Sequence, residues 1–158
     1  MTSAQLIAAY RLERHPEGGW YREVHRSEHS LGILAGYPGE RVALTAIYFL
    51  LEGGEFSAFH RVRGEEAWIH LGGGLLELVM LGDEPRLTLL GPVGGGGDAL
   101  AVVPAGVYQA ARPLSGFSFV ACLVAPGFDF ADFEMPSAEE LCQAFPRHGE
   151  LVRRFTRR

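Results

Sequence analysis

The chain has 158 residues, 47% of them hydrophobic, with 14 basic residues against 19 acidic ones. This length predicts one domain that can bury a core without disulfides or metals. The formal charge of −5, with no basic cluster in the body of the chain, argues against a nucleic-acid partner. Every basic residue is arginine, so mechanisms that need a lysine nucleophile or Schiff base are excluded.

Nothing in the sequence points to export or to a membrane. The apolar runs are too short for a membrane span, and the first residues lack the charged and apolar regions of a signal peptide. Cys122 and Cys142 are too few for a disulfide framework, and Cys122 lies in an apolar run typical of a core. We therefore expect a cytoplasmic protein without a membrane partner.

The N-terminal segment is predicted to hold one helix and one strand. Residues 3–12 favour a short helix capped by Thr2 or Ser3. Proline and paired glycines make residues 15–19 a turn, and a strand follows over 20–25. Residues 28–41, with three glycines and a proline, are predicted to be a loop.

The middle of the chain is a series of short strands separated by glycine or proline. They are predicted at residues 42–51, 56–63, 67–71, 75–81, 86–90, 99–103, 107–111 and 117–125. Close turn signals between short strands indicate an all-β sandwich or barrel. No long helical pattern interrupts the strands, which argues against a doubly wound α/β sheet. The glycine run 94–97 lacks the residues of a phosphate-binding loop.

The C-terminal tail is predicted to be helical. Ser137 and Glu140 have the spacing of a capping box, and helices are expected near 137–145 and 148–155. The arginine run 153–158 is interpreted as a solvated helix end. Since no linker divides the chain, residues 1–158 are expected to form a single domain.

His60 is the first candidate for chemistry. Side chains alternate along a strand, so His60 shares a face with Phe56, Ala58 and Val62, while Arg61 points to the other side. An imidazole on an apolar face is either a structural residue with satisfied ring nitrogens or a functional group. The residue alone does not decide between the two.

The spacing around His60 resembles a known pattern. The series Gly54, His60, Val62, Glu66, Gly73 resembles the first motif of the cupin superfamily, and residues 104–109 (PAGVYQ) resemble the second. Segments HPEGGWY, FHR, EAW, VVPAG, QAA and VAPGFDFADF, within residues 4–142, resemble the small "cupin 5" family. The resemblance implies a double-stranded β-helix, the jelly-roll cupin barrel, over about residues 20–135, with short terminal helices and homodimeric assembly.

The match to a metal-binding cupin is incomplete. The family pattern supplies three histidines and a glutamate, but here Val62 and Gln109 stand at two histidine positions. His60, Glu66 and Gln109 remain as an alternative set for a divalent metal, although open catalytic sites generally use three good protein ligands. No cofactor is required by the sequence.

Several further side chains are candidates for contact with a small-molecule ligand in the barrel. Gln109 offers an amide, Tyr21 and Tyr48 offer phenols, Trp68 offers a stacking surface, and Arg22 offers a guanidinium for an anion. Each aromatic residue is also a candidate for the core, and Arg22 is also a candidate for a solvent-exposed face.

Three functions follow from these residues. In the first, the protein is an isomerase- or epimerase-like enzyme on a carbohydrate- or nucleotide-sugar-like ligand. The resemblance to cupin sugar epimerases implies proton transfer next to a carbonyl, with His60 as general base and Glu66 as its partner. The second is a non-catalytic module that senses a metabolite, and the third is a metal-dependent cupin with the sparse His60, Glu66 and Gln109 set.

Overall fold

The computed structural model describes residues 1–157, and Arg158 of the C-terminal arginine run lies outside the described residues. The helices are α1 (Ser3–Tyr10), α2 (Ala138–Ala144) and α3 (Gly149–Arg154), with short 3-10 turns at Phe130–Asp132 and Pro146–His148. The strands are β1 (Glu13–Arg14), β2 (Trp20–Arg26), β3 (Ser30–Ile33), β4 (Glu40–Val42), β5 (Thr45–Glu52), β6 (Ser57–His60), β7 (Glu65–Gly73), β8 (Leu76–Leu81), β9 (Arg86–Leu90), β10 (Leu100–Val103), β11 (Tyr108–Pro113) and β12 (Phe117–Ala125).

The strands form two main antiparallel sheets and a small ribbon. The larger sheet has the order β1-β2-β5-β12-β7-β10, and the smaller has the order β6-β11-β8-β9. Their facing surfaces enclose a core that contains Phe49, Trp68, Leu78, Met80 and Val120. The mostly β architecture confirms the predicted jelly-roll barrel with short terminal helices.

Helices cover the outer faces of both sheets. The C-terminal helices pack Leu141, Val152 and Phe155 against Phe59 and Val79 of the smaller sheet. Strand β8 is therefore buried along its whole length, because one face meets the core and the other meets these helices. Helix α1 packs on the larger sheet, where Leu6 belongs to a separate buried cluster.

Two helix caps agree with the sequence analysis, and one predicted loop does not. Thr2 caps α1 and Ser137 caps α2, each within a capping box. The predicted loop 28–41 instead contains β3, which pairs with β4 as a two-stranded ribbon. Glycines in a short strand hide its pattern from a reading based on turn signals. Within residues 1–157, no helix is long and apolar enough to cross a membrane.

Candidate functional site

A tight turn at residues 15–19 forms one side of the site. The backbone N–H of His15 donates to Gly19, and the N–H of Gly18 donates back to His15. Gly18 and Gly19 have φ values of 112° and 78°, in the left-handed region that favours glycine. A Cβ at Gly18 would lie 2.3 Å from the carbonyl oxygen of Phe56, so the turn can approach β6 only because glycine is present.

This turn places Glu17 against β6. The backbone N–H of Ala58 donates to the Glu17 carbonyl at 2.9 Å, and the Arg157 guanidinium donates to the same carbonyl at 3.2 Å. The Glu17 carboxyl enters the barrel, where Oε1 accepts from the Ser57 hydroxyl at 2.8 Å and Oε2 lies 3.1 Å from Nε2 of His60. Arg157 therefore anchors the site, rather than only ending a solvated helix.

Hydrogen bonds limit the Glu17–His60 pair to two protonation states. Nδ1 of His60 lies 2.8 Å from the carbonyl oxygen of Ala58, so this nitrogen carries a proton and donates. Nε2 then either accepts from a protonated Glu17 or donates to a Glu17 carboxylate. In both cases one proton lies between the two residues.

Burial favours the neutral arrangement of this pair. Glu17 is 6% exposed and His60 is 2% exposed. Burial raises the pKa of Glu17 to about 8, although the hydrogen bond from Ser57 opposes the shift. Burial also lowers the pKa of His60, against the opposing effects of Glu66 and the Ala58 carbonyl. Near neutral pH, Glu17 therefore holds the proton and donates it to His60.

His15 adds a second imidazole with a defined tautomer. Its Nδ1 accepts the backbone N–H of Glu17 at 3.2 Å, so the ring proton is on Nε2. Burial lowers the pKa of His15 to about 3, with His60 adding to the effect, and the ring is neutral at ordinary pH. Nε2 has no protein partner, and no fully buried side-chain nitrogen or oxygen among the described residues lacks one. Nε2 is therefore accessible, and His15 lines the cavity.

A chain of hydrogen bonds holds the second carboxyl, Glu66 on β7. Nε1 of Trp68 donates to Oε1 of Gln109 at 2.8 Å, and Nε2 of Gln109 donates to Oε2 of Glu66 at 2.5 Å. Burial raises the pKa of Glu66 to about 7, and proximity to His60 opposes this shift. Glu66 therefore exchanges its proton near neutral pH.

His15, Glu17, His60 and Glu66 line a cavity of about 460 Å³. Five aromatic side chains contribute to its walls, namely Tyr21, Phe49, Phe128, Phe130 and Phe133. Phe133 stacks on His60 with ring centroids 5.5 Å apart, and Tyr21 meets His15 edge-on at 4.5 Å. Phe130 closes the outer part of the wall. A largely apolar cavity with a few placed polar groups is typical of a small-molecule site.

The mouth of the cavity is charged. Strand β2 pairs with β5 through Glu23 and His25 but skips Val24, which marks a bulge. The bulge reverses the alternation of side chains, so that Glu23 and Arg26 both face the mouth. Arg26 donates from Nε and Nη2 to the Glu23 carboxylate at 2.9 and 2.8 Å.

Comparison with known proteins identifies the family. The model of the Cupin 5 family, described as Cupin superfamily (DUF985), matches residues 4–136. The chain belongs to this cupin family. The finding confirms the resemblance carried by the sequence motifs. Among curated proteins, none matches the chain.

Solved structures agree with this assignment. A hypothetical protein from Leishmania major is 30% identical, with a TM-score of 0.92 and full coverage of both chains. A protein from Shewanella oneidensis is 36% identical, with a TM-score of 0.87, covering 99% of this chain and 98% of the other. Oxalate decarboxylase from Bacillus subtilis is 15% identical, covers 90% of this chain and 36% of its own, and with a TM-score of 0.58 shows the shared fold alone.

The cupin barrel brings some predicted site residues together and separates others. His60, Glu66 and Tyr21 line the cavity. Arg22 is exposed on the opposite face of β2, where it donates to the carbonyl of Tyr10, because it follows the inward-facing Tyr21. This position corrects the expectation that Arg22 contacts a ligand in the barrel.

Three other predicted ligand contacts also lie elsewhere in the cupin. Tyr48 is on the outer face of β5, with its ring 4.9 Å from that of Tyr10 under α1. Trp68 and Gln109 are 1% and 0% exposed and lie beneath the cavity rather than along its wall. Trp68 and Gln109 were expected to contact a ligand. Their hydrogen bonds instead orient Glu66.

The predicted metal set of this cupin does not fit an ion in the arrangement observed. Gln109 uses its amide oxygen for Trp68 and turns its amide N–H groups toward Glu66, while Nε2 of His60 is taken by Glu17. Among residues 1–157, no group of three or more His, Cys, Asp or Glu side chains is placed to hold a metal.

The sequence analysis missed Glu17, the carboxyl that lies 3.1 Å from Nε2 of His60. Residues 15–19 were assigned only as a turn, since proline and paired glycines dominate that pattern. Glu66, expected to pair with His60, instead bonds Gln109.

Proposed function

We propose that this cupin catalyses proton transfer next to the carbonyl of a small carbohydrate-like ligand, as an isomerase or epimerase. The observation that carries the proposal is the 3.1 Å contact between Glu17 and His60 at a small-molecule cavity. The pair holds one proton, and its two members titrate in environments that move their pKa values in opposite directions. Such a pair is suited to general acid–base chemistry.

The proposed step uses His60 as the general base through Glu17. The proton of Glu17 passes to Nε2 of His60, and the carboxylate so formed takes the proton from the substrate carbon. The electrons of the broken C–H bond move into an enolate, whose oxygen accepts the Nε2–H of His15. The neutral His15 ring is suited to this role because it donates a hydrogen bond to the enolate oxygen without itself being a cation.

Glu66 completes the reaction in this proposal. A proton returned by Glu66 to the opposite face of the same carbon inverts its configuration. If the proton is instead returned to the neighbouring carbon, and the hydroxyl proton on the first carbon passes to the enolate oxygen, the carbonyl moves to the first carbon. The hydrogen bonds from Gln109 hold this carboxyl in place. With its pKa raised to about 7, the Glu66 carboxyl both accepts and donates protons near neutral pH.

The second candidate is a non-catalytic module that binds a metabolite in the same cavity. The burial of His60 favours it, since both ring nitrogens have protein partners and Phe133 covers the ring. In that case, changes at His60 would alter ligand affinity, and no turnover would be present to alter.

Solvent exchange separates the two candidates. Wild-type protein is incubated in D₂O with free aldoses and ketoses, and deuterium at the carbon beside the carbonyl is measured by NMR. We expect incorporation that is lost in Glu17→Gln and kept in Glu28→Gln, whose exposed carboxyl lies away from the cavity. Saturable binding without incorporation would support the sensing module. Incorporation that survives Glu17→Gln would contradict the role of the pair.

A further inference from the structure

The charges at the cavity mouth distinguish the classes of ligand that can enter. Glu13, Glu23 and Asp129 bring carboxylates to the lining, and Arg26 brings the one guanidinium among the described lining residues. The Arg26 guanidinium is already bound to Glu23 through Nε and Nη2, and Nη2 also donates to the carbonyl of Phe128 at 3.1 Å. An incoming anion therefore meets a mouth of net negative charge, at which the guanidinium of Arg26 is already paired with the carboxylate of Glu23.

The other arginines near the mouth are occupied as well. Arg41 lies behind Asp129 at 4.0 Å, but its Nε and Nη2 donate to the Asp132 carboxylate at 2.7 Å each. Arg63 lies 3.3 Å from the same carboxylate. Neither arginine lines the cavity, so neither offers a phosphate or carboxylate a bidentate partner there.

Inside the cavity, His15 presents an uncharged hydrogen-bond donor to a ligand. The His15 side chain is 7% exposed, and its Nε2–H has no protein partner. This donor suits a carbonyl or hydroxyl oxygen. The carboxylates at the mouth are acceptors for hydroxyl groups, and the aromatic walls suit the C–H face of a sugar ring.

We propose that the cavity takes an uncharged hydroxy-carbonyl compound of free-sugar size and excludes phosphorylated sugars, sugar acids and nucleotide sugars. The carbonyl oxygen binds Nε2–H of His15, and hydroxyl groups bind the carboxylates of Glu23 and Asp129. This inference rests on the proposed function only for the identity of the reacting carbonyl. It narrows the carbohydrate class expected from the sequence by removing its charged members.

Binding of four probes tests the assignment. D-fructose and D-glucose are the uncharged probes, and glucose 6-phosphate and UDP-glucose are the charged ones. Each is titrated at equal ionic strength by calorimetry and by ligand-observed NMR. We expect the uncharged probes to bind the wild type at least about tenfold more tightly than the phosphorylated ones, the factor that corresponds to one unfavourable polar contact.

Two variants connect the result to the named residues. Glu23→Gln releases the Arg26 guanidinium, and we expect glucose 6-phosphate to bind this variant more tightly than the wild type. Glu28→Gln makes the same charge change on an exposed residue outside the cavity, and its probe preference should match the wild type. His15→Phe keeps an aromatic ring and should weaken fructose binding by about tenfold.

Three outcomes would overturn the inference. They are equal or tighter binding of a phosphorylated probe by the wild type, no binding of either uncharged probe, and no gain of phosphate binding in Glu23→Gln. The proposed function fails separately. Uncharged sugars that bind without deuterium exchange remove the catalytic step alone, and exchange confined to phosphorylated sugars removes the ligand class alone.

Discussion

Replacing Glu17 by glutamine tests the protonation that the structure assigns to the central pair. The glutamine amide can donate to Nε2 of His60 and accept from Ser57, as the protonated carboxyl does. It therefore mimics the neutral form and cannot ionise. Comparing the free energy of unfolding of the two proteins at several pH values isolates the titration of one carboxyl.

The direction and size of the expected change in unfolding free energy follow from the pKa of Glu17, which is about 8 in the fold against an ordinary value of 4.5 for a glutamate carboxyl. Between these values the unfolded chain has lost the proton while the folded protein retains it. The free energy of unfolding of the wild type therefore falls relative to that of Glu17→Gln as pH rises. At about 1.4 kcal/mol per pH unit, the difference grows by about 3 kcal/mol from about pH 5 to about pH 7.

Urea unfolding followed by tryptophan fluorescence measures this change, because Trp68 is buried in the core. The control is Glu28→Gln, whose carboxyl faces solvent and whose difference from the wild type should stay flat. A Glu17→Gln difference that also stays flat with pH would refute the reasoning. It would mean that the folded pair holds no proton between its two members over this pH range, with Glu17 ionised beside a neutral His60.

Three further predictions concern stability and assembly. Asp132→Asn breaks the buried pair with Arg41, and since the guanidinium is left uncompensated, urea unfolding should show a loss of about 3–5 kcal/mol. Gln109→Leu removes the amide that links two buried groups, so the same assay should show a loss of about 1–3 kcal/mol. We also propose that the homodimer implied by the family resemblance forms on the outer face of β10, where Leu100 and Val102 are 52% and 42% exposed. Sedimentation of Leu100→Asp should then report monomers, and an unchanged sedimentation coefficient would exclude this face.

Much of the fold could be predicted from local sequence. Short strands between glycine and proline turns indicated an all-β sandwich or barrel, and the family resemblance implied the jelly roll. Ser137 with Glu140 located the start of α2. The ribbon of β3 and β4 was missed, because its pairing joins two segments whose residues separately favour a loop. Local preference describes single segments, and it contains no information on which segment pairs with which.

The candidate site shows the same division more sharply. Strand alternation alone places His60 on an inward face, and alternation could also have excluded Arg22 once Tyr21 was taken to point inward. Alternation could not find Arg26, because the bulge at Val24 reverses its direction and leaves no mark in the sequence.

What the sequence determined by itself is a β-rich barrel with an inward histidine and a turn that requires two glycines. The meeting of Glu17 with His60 was decided by tertiary structure, because it depends on the edge of β6 accepting a distant turn as its neighbour. The tertiary structure also decided which member of the Glu17–His60 pair holds the proton. A pKa shift arises from burial and from charges that converge in space, and neither is a property of the residues along the chain.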